Sequence, residues 1–427
     1  MILSFKVKNF LSIRDEQTIS FEANKADKTL KDLLTVEVKP HCFVNKMGIF
    51  YGANASGKSN ILYAIEAVFK ILYLTKQKED PIFNYSPFAL RKGEPTEFNI
   101  IFFIEGVQYD YTVSYNQTNI LSELLHYYPN GSKALFYKRK YIGENIQPKI
   151  EFGNKLKLSA NTKKDIKGRT FNNQSVLGSL GNLSLTEEAY ELIKLYVWAI
   201  KYVHDIDGDY VIRNMIAEID KVCNDSKLKQ FYLDMLAKAD FNIINFNLVD
   251  DRDNMSRERV EYILSEKNIT DEDRRALLSD VSFVNHSTDG DFSTLSKVQS
   301  DGTKRYIELL RYLYEMITDN HICLFDELGN EIHYDLLAYY LLVFLRNSNQ
   351  SQLLFTTHSI MLLDEEFVRR DMVYLAEKDK DTAVSSYTRV SDMGLHKNIS
   401  LYKAYKIGRL GAKPDLGSTY LDFIKEC

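Results

Sequence analysis

Gly52-Ala53-Asn54-Ala55-Ser56-Gly57-Lys58-Ser59 is the stretch on which the reading of this chain turns. It fits G-x-x-x-x-G-K-[ST], and both flanks are the ones that pattern requires. Met47 to Tyr51 is a short apolar run before it. Asn60 to Leu74 follows, with Ile61, Leu62, Ile65, Val68, Phe69 and Leu72 at helical spacing. Strand, loop and helix are the expected order. Glycines let successive backbone N–H groups face phosphate oxygens at a helix start, Lys58 reaches the outer phosphates, and Ser59 offers a hydroxyl to Mg²⁺. A glycine-rich turn without a ligand is the competing reading.

The last third of the chain supplies what such a loop needs beside it. Ile322, Cys323, Leu324 and Phe325 form an apolar strand that ends in Asp326 and Glu327. If that strand lies parallel to the first, the two carboxylates stand at the sheet's carboxyl edge, next to the loop. Asp326 then organises Mg²⁺ and Glu327 polarises a water, since phosphoryl transfer is mostly positioning and charge stabilisation. Carboxylates merely favoured by a helix dipole are the alternative. Leu353, Leu354 and Phe355 lead through Thr356 and Thr357 to His358, a second strand with a polar end, and His358 can bond a phosphate and the water. Ser300-Asp301-Gly302 precedes a helical stretch from Lys304 to Leu313, about 20 residues before the acidic strand. ATPases of the ABC class carry their signature there.

Working outward, the chain has 427 residues, 45% hydrophobic and 26% charged, with 54 Lys+Arg against 59 Asp+Glu and a formal charge of −5. That composition excludes disorder for most of the chain, and 19 Gly with 7 Pro excludes a collagen-like chain. Cys42, Cys223, Cys323 and Cys427 are scattered with no CxxC pair, so neither a zinc ribbon nor a redox motif is available and a reducing cytoplasm is expected. The longest apolar stretch, Leu336 to Leu345, falls well short of the roughly 20 residues a bilayer requires. No membrane role is expected. The basic run Lys138, Arg139, Lys140 reads as a solvated edge strand, with a nucleic-acid patch as the other reading.

Residues 1 to 22 alternate as two strands around a turn at Arg14 to Glu16. From Glu97, Phe98, Ile100, Phe102 and Ile104 alternate and continue across Glu105 and Gly106 into Val107, Tyr109, Tyr111 and Val113, the start of an antiparallel β lobe over 95 to 158. Around Thr186 the pattern becomes helical (Ala189 to Val203, Val211 to Cys223, Leu228 to Ala239), followed by a charged, solvent-facing connection from Asp250 to Asp280. The divisions expected are 1–175, the first part of a nucleotide-binding head with the β lobe; 176–288, an inserted helical lobe; and 289–427, the rest of the head.

FKVKNFLSI, GANASGKSN, QSDGTKR, CLFDELGNEIH, LLFTTHS and YKIGRLGAKP together resemble the ABC-type ATPase head. That head is shared by the structural-maintenance-of-chromosomes and double-strand-break-repair ATPases and by the overcoming-lysogenization-defect (OLD) group. The strongest likeness is to the compact bacterial RloA and AbiL abortive-infection proteins, over about residues 1–120 and 290–415. The resemblance implies an α/β P-loop head with an antiparallel β lobe and an inserted helical lobe. It further implies ATP and Mg²⁺ as ligands, with nucleotide contacts from Gly52, Asn54, Ala55, Ser56, Gly57, Lys58, Ser59 and Asn60. Metal organisation would fall to Ser59 and Asp326, catalysis to Glu327 with Lys58, and the switch role to His358. Ser300 and Gly302 would act in trans across a head-to-tail dimer. The Q-loop position, a nucleotide and metal contact in relatives, is nominated as Gln174; Leu11 stands where relatives often carry Arg.

OLD nucleases append a metal-dependent nuclease domain of about a hundred residues, whereas only 50 residues follow Glu377 here, and Glu377, Asp379 and Asp381 read as a solvated hairpin turn. By resemblance the chain is an ATPase of bacterial anti-phage defence that controls a separate effector, a toprim-like nuclease or a toxin. A repair or condensation ATPase acting on DNA directly is the second reading, and a scaffold holding ATP without turnover the third.

Overall fold

A computed structural model of the chain describes residues 1–82, 85–182, 189–204, 212–266, 269–396 and 398–414. Thr186, Val211 and Cys427, named above, lie outside the described residues. Two compact units are present: Met1–Ile206 with His321–Leu328 and Gln350–Cys427, and Asp207–Asn320 with Gly329–Asn349.

The first unit opens with β1 (Ile2–Lys8), β2 (Gln17–Ser20), a single helical turn α1 (Lys31–Leu34), β3 (Thr35–Lys39), β4 (Cys42–Asn45) and β5 (Met47–Gly52). Helix α2 (Lys58–Tyr73) precedes the meander β6 (Thr96–Ile104), β7 (Val107–Tyr115), β8 (Ile120–Tyr127), β9 (Ala134–Lys140) and β10 (Lys149–Phe152). Then come α3 (Ala160–Arg169), α4 (Tyr190–Tyr202) and the two-residue β11 (Val203–His204). The second unit contributes α5 (Ile212–Asn224), α6 (Ser226–Lys238), β12 (Ile243–Asp250), α7 (Arg257–Ser265), α8 (Asp271–Leu277), β13 (Ser279–Asn285), β14 (Phe292–Leu295) and α9 (Asp301–Thr318). Between β15 (Ile322–Phe325) and β16 (Gln352–Thr356), both of the first unit, runs α10 (Tyr334–Asn347) of the second. The described chain closes with β17 (Val373–Lys378), β18 (Ser385–Arg389) and α11 (Leu401–Lys406).

Two large sheets and the small antiparallel pair β3-β4 build the first unit. One large sheet is antiparallel, in the order β10-β9-β8-β7-β6-β1-β2, so the N-terminal hairpin joins the β lobe through β1 pairing with β6. The other runs β11-β15-β16-β5-β17-β18 and is parallel except for β18. All six residues of β5 are buried, as a central parallel strand demands. Helix α2 buries Ile61, Leu62, Ile65, Val68, Phe69 and Leu72, the periodic set, into one core with Phe50, Leu354 and the inner faces of β1, β6 and β7. Trp198 of α4 stacks on Phe102 at 5.0 Å between ring centroids. The α/β P-loop head with an antiparallel lobe is therefore the fold observed, and Glu377, Asp379 and Asp381 fall on the β17–β18 hairpin.

Arg139 departs from its reading. Strand β9 is not an edge; it lies between β8 and β10, so Lys138 and Lys140 face solvent while Arg139 is completely buried. Its Nη1 donates to Ile120 O at 2.5 Å and its Nη2 to Phe171 O and Asn172 O at 3.0 and 2.9 Å, with Glu123 4.0 Å from Nε. Glu123 accepts from Tyr137 (2.6 Å), Tyr111 (3.1 Å) and the Val176 amide (3.1 Å). Burial pushes its carboxyl above the usual range, although Arg139 pulls the other way. No surface patch can use this arginine.

In the second unit β12, β13 and β14 form an antiparallel sheet. Phe246 of β12 meets Tyr232 of α6 and Phe283 of β13, and α9 packs on α6 and α10 with Tyr340 bonded to Leu309 O at 3.2 Å. The charged stretch Asp250 to Asp280 is not a bare connection. It carries α7 and α8 and closes a hairpin in which Asp250 stands opposite Ser279. Strand β12 buries only Ile243 and Phe246, too sparse an alternation to read against flanking helices.

Candidate nucleotide-binding site

Strand β5 ends at the carboxyl edge of the parallel sheet, between β16 and β17, and Ala53–Gly57 turns there into α2. Gly57 is the left-handed residue at the helix start, φ +94°, and a Cβ on it would collide with the hydroxyls of Ser385 and Ser12. Gly52 is as tightly held, with Ala376 O and Ser56 Oγ in the space of a side chain. Asn54 and Ala55 are exposed, whereas the Ser56 hydroxyl is buried and lacks a partner. Lys58 is buried along its stem, and Nζ donates to Ala53 O at 3.2 Å across the mouth of the loop. Burial lowers its pKa from the ordinary lysine value, and the charges of Glu327 and Asp326 oppose that.

Parallel registry delivers the carboxylates. Phe325 pairs with Phe355 and Thr356 with Phe50, so Asp326, Thr356 and the start of α2 converge. Asp326 Oδ1 accepts from Ser59 Oγ at 2.7 Å and from Thr356 Oγ1 at 2.6 Å, while the Glu327 amide donates to Thr356 Oγ1 at 2.7 Å. Glu327 has φ +55°, a conformation uncommon for a residue with a side chain and characteristic of functional turns. Its Oε1 lies 3.8 Å from His358 Nε2, and the two side chains are 48% and 44% exposed. A carboxylate and an imidazole thus face open space beside the loop.

Lys58, Ser59, Asp326, Glu327 and His358 are brought together. Asn60 sits with them and spends its amide on Ser12 Oγ at 2.6 Å. Gln174 is not brought to Ser59 and Asp326 by any described bond: it is buried, and Nε2 donates to Gly178 O at 3.0 Å within its own loop. Ser300 and Gly302 belong to the second unit. There Ser300 caps α9, its Oγ accepting from the Thr303 amide at 3.1 Å, and Gly302 leaves no room for a side chain against Glu331 O.

Several contributors carried no local signal. Thr356 joins both carboxylate residues, yet in sequence it is one β-branched residue ending a strand. Ser385 and Tyr387 of β18 hold the loop from behind: Ser385 Oγ donates to Ser56 O at 2.7 Å and lies 2.6 Å from Ser12 Oγ, and Tyr387 donates to Gly57 O at 2.6 Å. Each tether is a single hydrogen bond of about 1 kcal/mol, so Ser385→Ala or Tyr387→Phe should raise the KM for ATP about fivefold with kcat nearly unchanged. Steady-state kinetics decides it; an unmoved KM removes these residues from the loop's support.

The site has the donors a magnesium ion takes. Ser59 and Asp326 offer a hydroxyl and a carboxylate oxygen already in contact, and Mg²⁺ commonly binds through one or two such groups plus substrate phosphates. Among the described residues no group of three or more His, Cys, Asp or Glu forms a metal cage, and no helix is long and apolar enough to cross a membrane.

Strand, phosphate loop and helix, with an acidic residue ending a neighbouring parallel strand, define a P-loop ATPase. More narrowly, the chain belongs to the family described as "AAA domain, putative AbiEii toxin, Type IV TA system", whose profile matches residues 49–364. Comparison with curated proteins gives no match. Solved structures to which the chain is similar include the SMC head domain from Thermotoga maritima, at 14% identity over 91% of this chain and 98% of that one, TM-score 0.39. An SmcHead bound to the C-winged helix domain of ScpA gives 15%, 95%, 99% and 0.39. An Smc head with an extended coiled coil, bound to the C-terminal domain of ScpA derived from Pyrococcus furiosus, gives 12%, 96%, 99% and 0.36.

Proposed function

We propose that this chain is the Mg²⁺-dependent ATPase of a bacterial anti-phage defence system of the abortive-infection kind, one that pairs head to tail on ATP and thereby controls a separate effector. The observation that carries the enzymatic part is the hydroxyl and carboxylate cluster of Ser59, Asp326 and Thr356 with Glu327 bonded into it. Lys58 and the loop amides would bind the phosphates, Glu327 would orient and deprotonate the attacking water, and His358 would hold that water and the terminal phosphate. Magnesium on Ser59 and Asp326 would supply charge neutralisation at the phosphate oxygens. The defence role is supported by the family's description and by the resemblance to the OLD, RloA and AbiL group. The partner is a second copy of this chain, presenting Ser300 and Gly302 to the phosphates, and a nuclease or toxin encoded separately.

Direct action on DNA through a long coiled coil draws no support from this chain, since its longest described helix, α9, has 18 residues.

Light scattering on the Glu327→Gln protein, which should bind ATP but hydrolyse it slowly, tests the pairing. Mass should double, or reach a larger even assembly, only with MgATP. An assembly of unchanged mass without nucleotide would make ATP a switch inside a standing complex. A monomer in both conditions would sink head-to-tail closure as a property of this chain alone.

A further inference from the structure

A second concave site lies in the first unit, built from different elements. The segment after β2, helix α1, strand β4 and the turn before β17 enclose a cavity of about 250 Å³. Lys25, Lys28, Lys31 and Arg369 line it with Asp27; Lys25 is paired with Glu22 at 3.7 Å and Arg369 with Asp371, so Lys28 and Lys31 carry the surplus positive charge. Such an excess of positive charge in a concavity focuses the field and draws anions.

Two details separate this cavity from a solvated lysine patch. Arg369 is 3% exposed, and its guanidinium is only partly used. Nε donates to Asp371 Oδ1 at 3.0 Å, Nη2 pairs with Oδ2 of the same carboxylate, and Asp27 stands 3.7 Å from Nε, but Nη1 is buried and has no partner. A buried charged donor left unmade is costly, so the guanidinium keeps hydrogen-bonding capacity that its protein partners do not use. Lys31, for its part, is held at the wall with Nζ 3.4 Å from the centroid of the Phe43 ring, a cation–π contact that fixes the ammonium before any ligand arrives.

The geometry points to an anion site: we propose that the cavity binds a phosphate monoester, gripped by Arg369, Lys28 and Lys31, independently of the nucleotide loop. The ligand class follows from charge and size. Several cations converging on one small volume match a dianionic group better than a carboxylate, and about 250 Å³ admits a phosphate with a modest organic substituent. The bond from the Asn24 amide to Asp371 Oδ2, at 2.6 Å, ties the cavity rim to the residue that anchors Arg369. Asp371 is the middle residue of the turn that leads into β17, a neighbour of β5.

The test is calorimetric titration of the full chain carrying Lys58→Ala, which silences the phosphate loop, with inorganic phosphate and with phenyl phosphate. Saturable binding is expected, weakened about tenfold or more when Lys28→Ala and Lys31→Ala are added and similarly by Arg369→Lys, which keeps charge but loses the planar fork. Should Arg369→Lys fail to fold, the lysine pair carries the result. Binding that the lysine pair leaves unchanged, or no binding up to about 10 mM, overturns the proposal. Competing oligonucleotides distinguish the source. Displacement by a 5′-phosphorylated strand alone assigns the monoester to a strand end, and displacement by neither assigns it to a small molecule. Equal displacement by a 5′-hydroxyl strand means that the cavity reads backbone charge, and overturns the monoester assignment.

Discussion

Glu327→Gln is expected to lower steady-state ATP hydrolysis by about 100-fold while changing ATP affinity by less than about threefold. The amide keeps the size of the side chain, and the backbone bond from Glu327 N to Thr356 Oγ1 does not involve the carboxylate, so the turn at φ +55° should survive. What is lost is a proton acceptor and a negative charge at a half-exposed position 3.8 Å from His358. Phosphate binding should persist because it rests on Lys58 and the loop amides. The charge of Glu327 also holds the Lys58 pKa up against burial. Removing it lowers the lysine further, so nucleotide binding by the variant should decline earlier than wild type as pH rises through the alkaline range. A turnover loss under about threefold, or an affinity loss of about tenfold, would take Glu327 out of the role of base.

The second large effect is on stability. Arg139→Met should destabilise the first unit by about 3–5 kcal/mol, because it leaves Glu123 buried without its counter-charge, so that it must either stay ionised unpaired or take up a proton, and it frees the carbonyls of Ile120, Phe171 and Asn172. Adding Glu123→Gln should recover a substantial part of the loss, since the unpaired charge is then removed. Trp198, the chain's one tryptophan, is packed on Phe102 in this unit's core and reports its unfolding by fluorescence in urea. A cost below about 1 kcal/mol for the single variant would show that the cluster is more hydrated than its burial implies.

The nucleotide loop was legible because every requirement is local. The run from Met47 to Leu74 contains the strand, the turn glycines and the helical periodicity within 28 consecutive residues, and the steric demand at Gly57 is a property of its own backbone. The acidic strand was nearly as clear, since four apolar residues ending in Asp326 and Glu327 are an uncommon sequence for anything but a buried parallel strand with a polar rim. Arg139 shows where such reading fails. Within Lys138-Arg139-Lys140 nothing distinguishes the middle residue, and only the pleat of a strand flanked on both sides puts its guanidinium inside. Gln174 stands in sequence at the junction of the β lobe and the helical lobe; in the fold it is buried, with Nε2 bonded to Gly178 O and Oε1 without a partner, and no described bond joins it to Ser59 or Asp326.

A phosphate loop at the end of a buried strand, an antiparallel lobe from Glu97 and a second acidic strand far along the chain were readable from residue order, because each follows from periodicity or turn chemistry over a few residues. Only the fold joins β1 to β6 and so carries the N-terminal hairpin into the antiparallel sheet, and only the fold makes Thr356 bridge Ser59's partner to Glu327. It also decided that Ser385 and Tyr387 brace a loop more than 320 residues away, and that Arg369 meets three lysines around a cavity. These are encounters between distant segments. Their partners are chosen by strand register and packing, which no short stretch of sequence encodes.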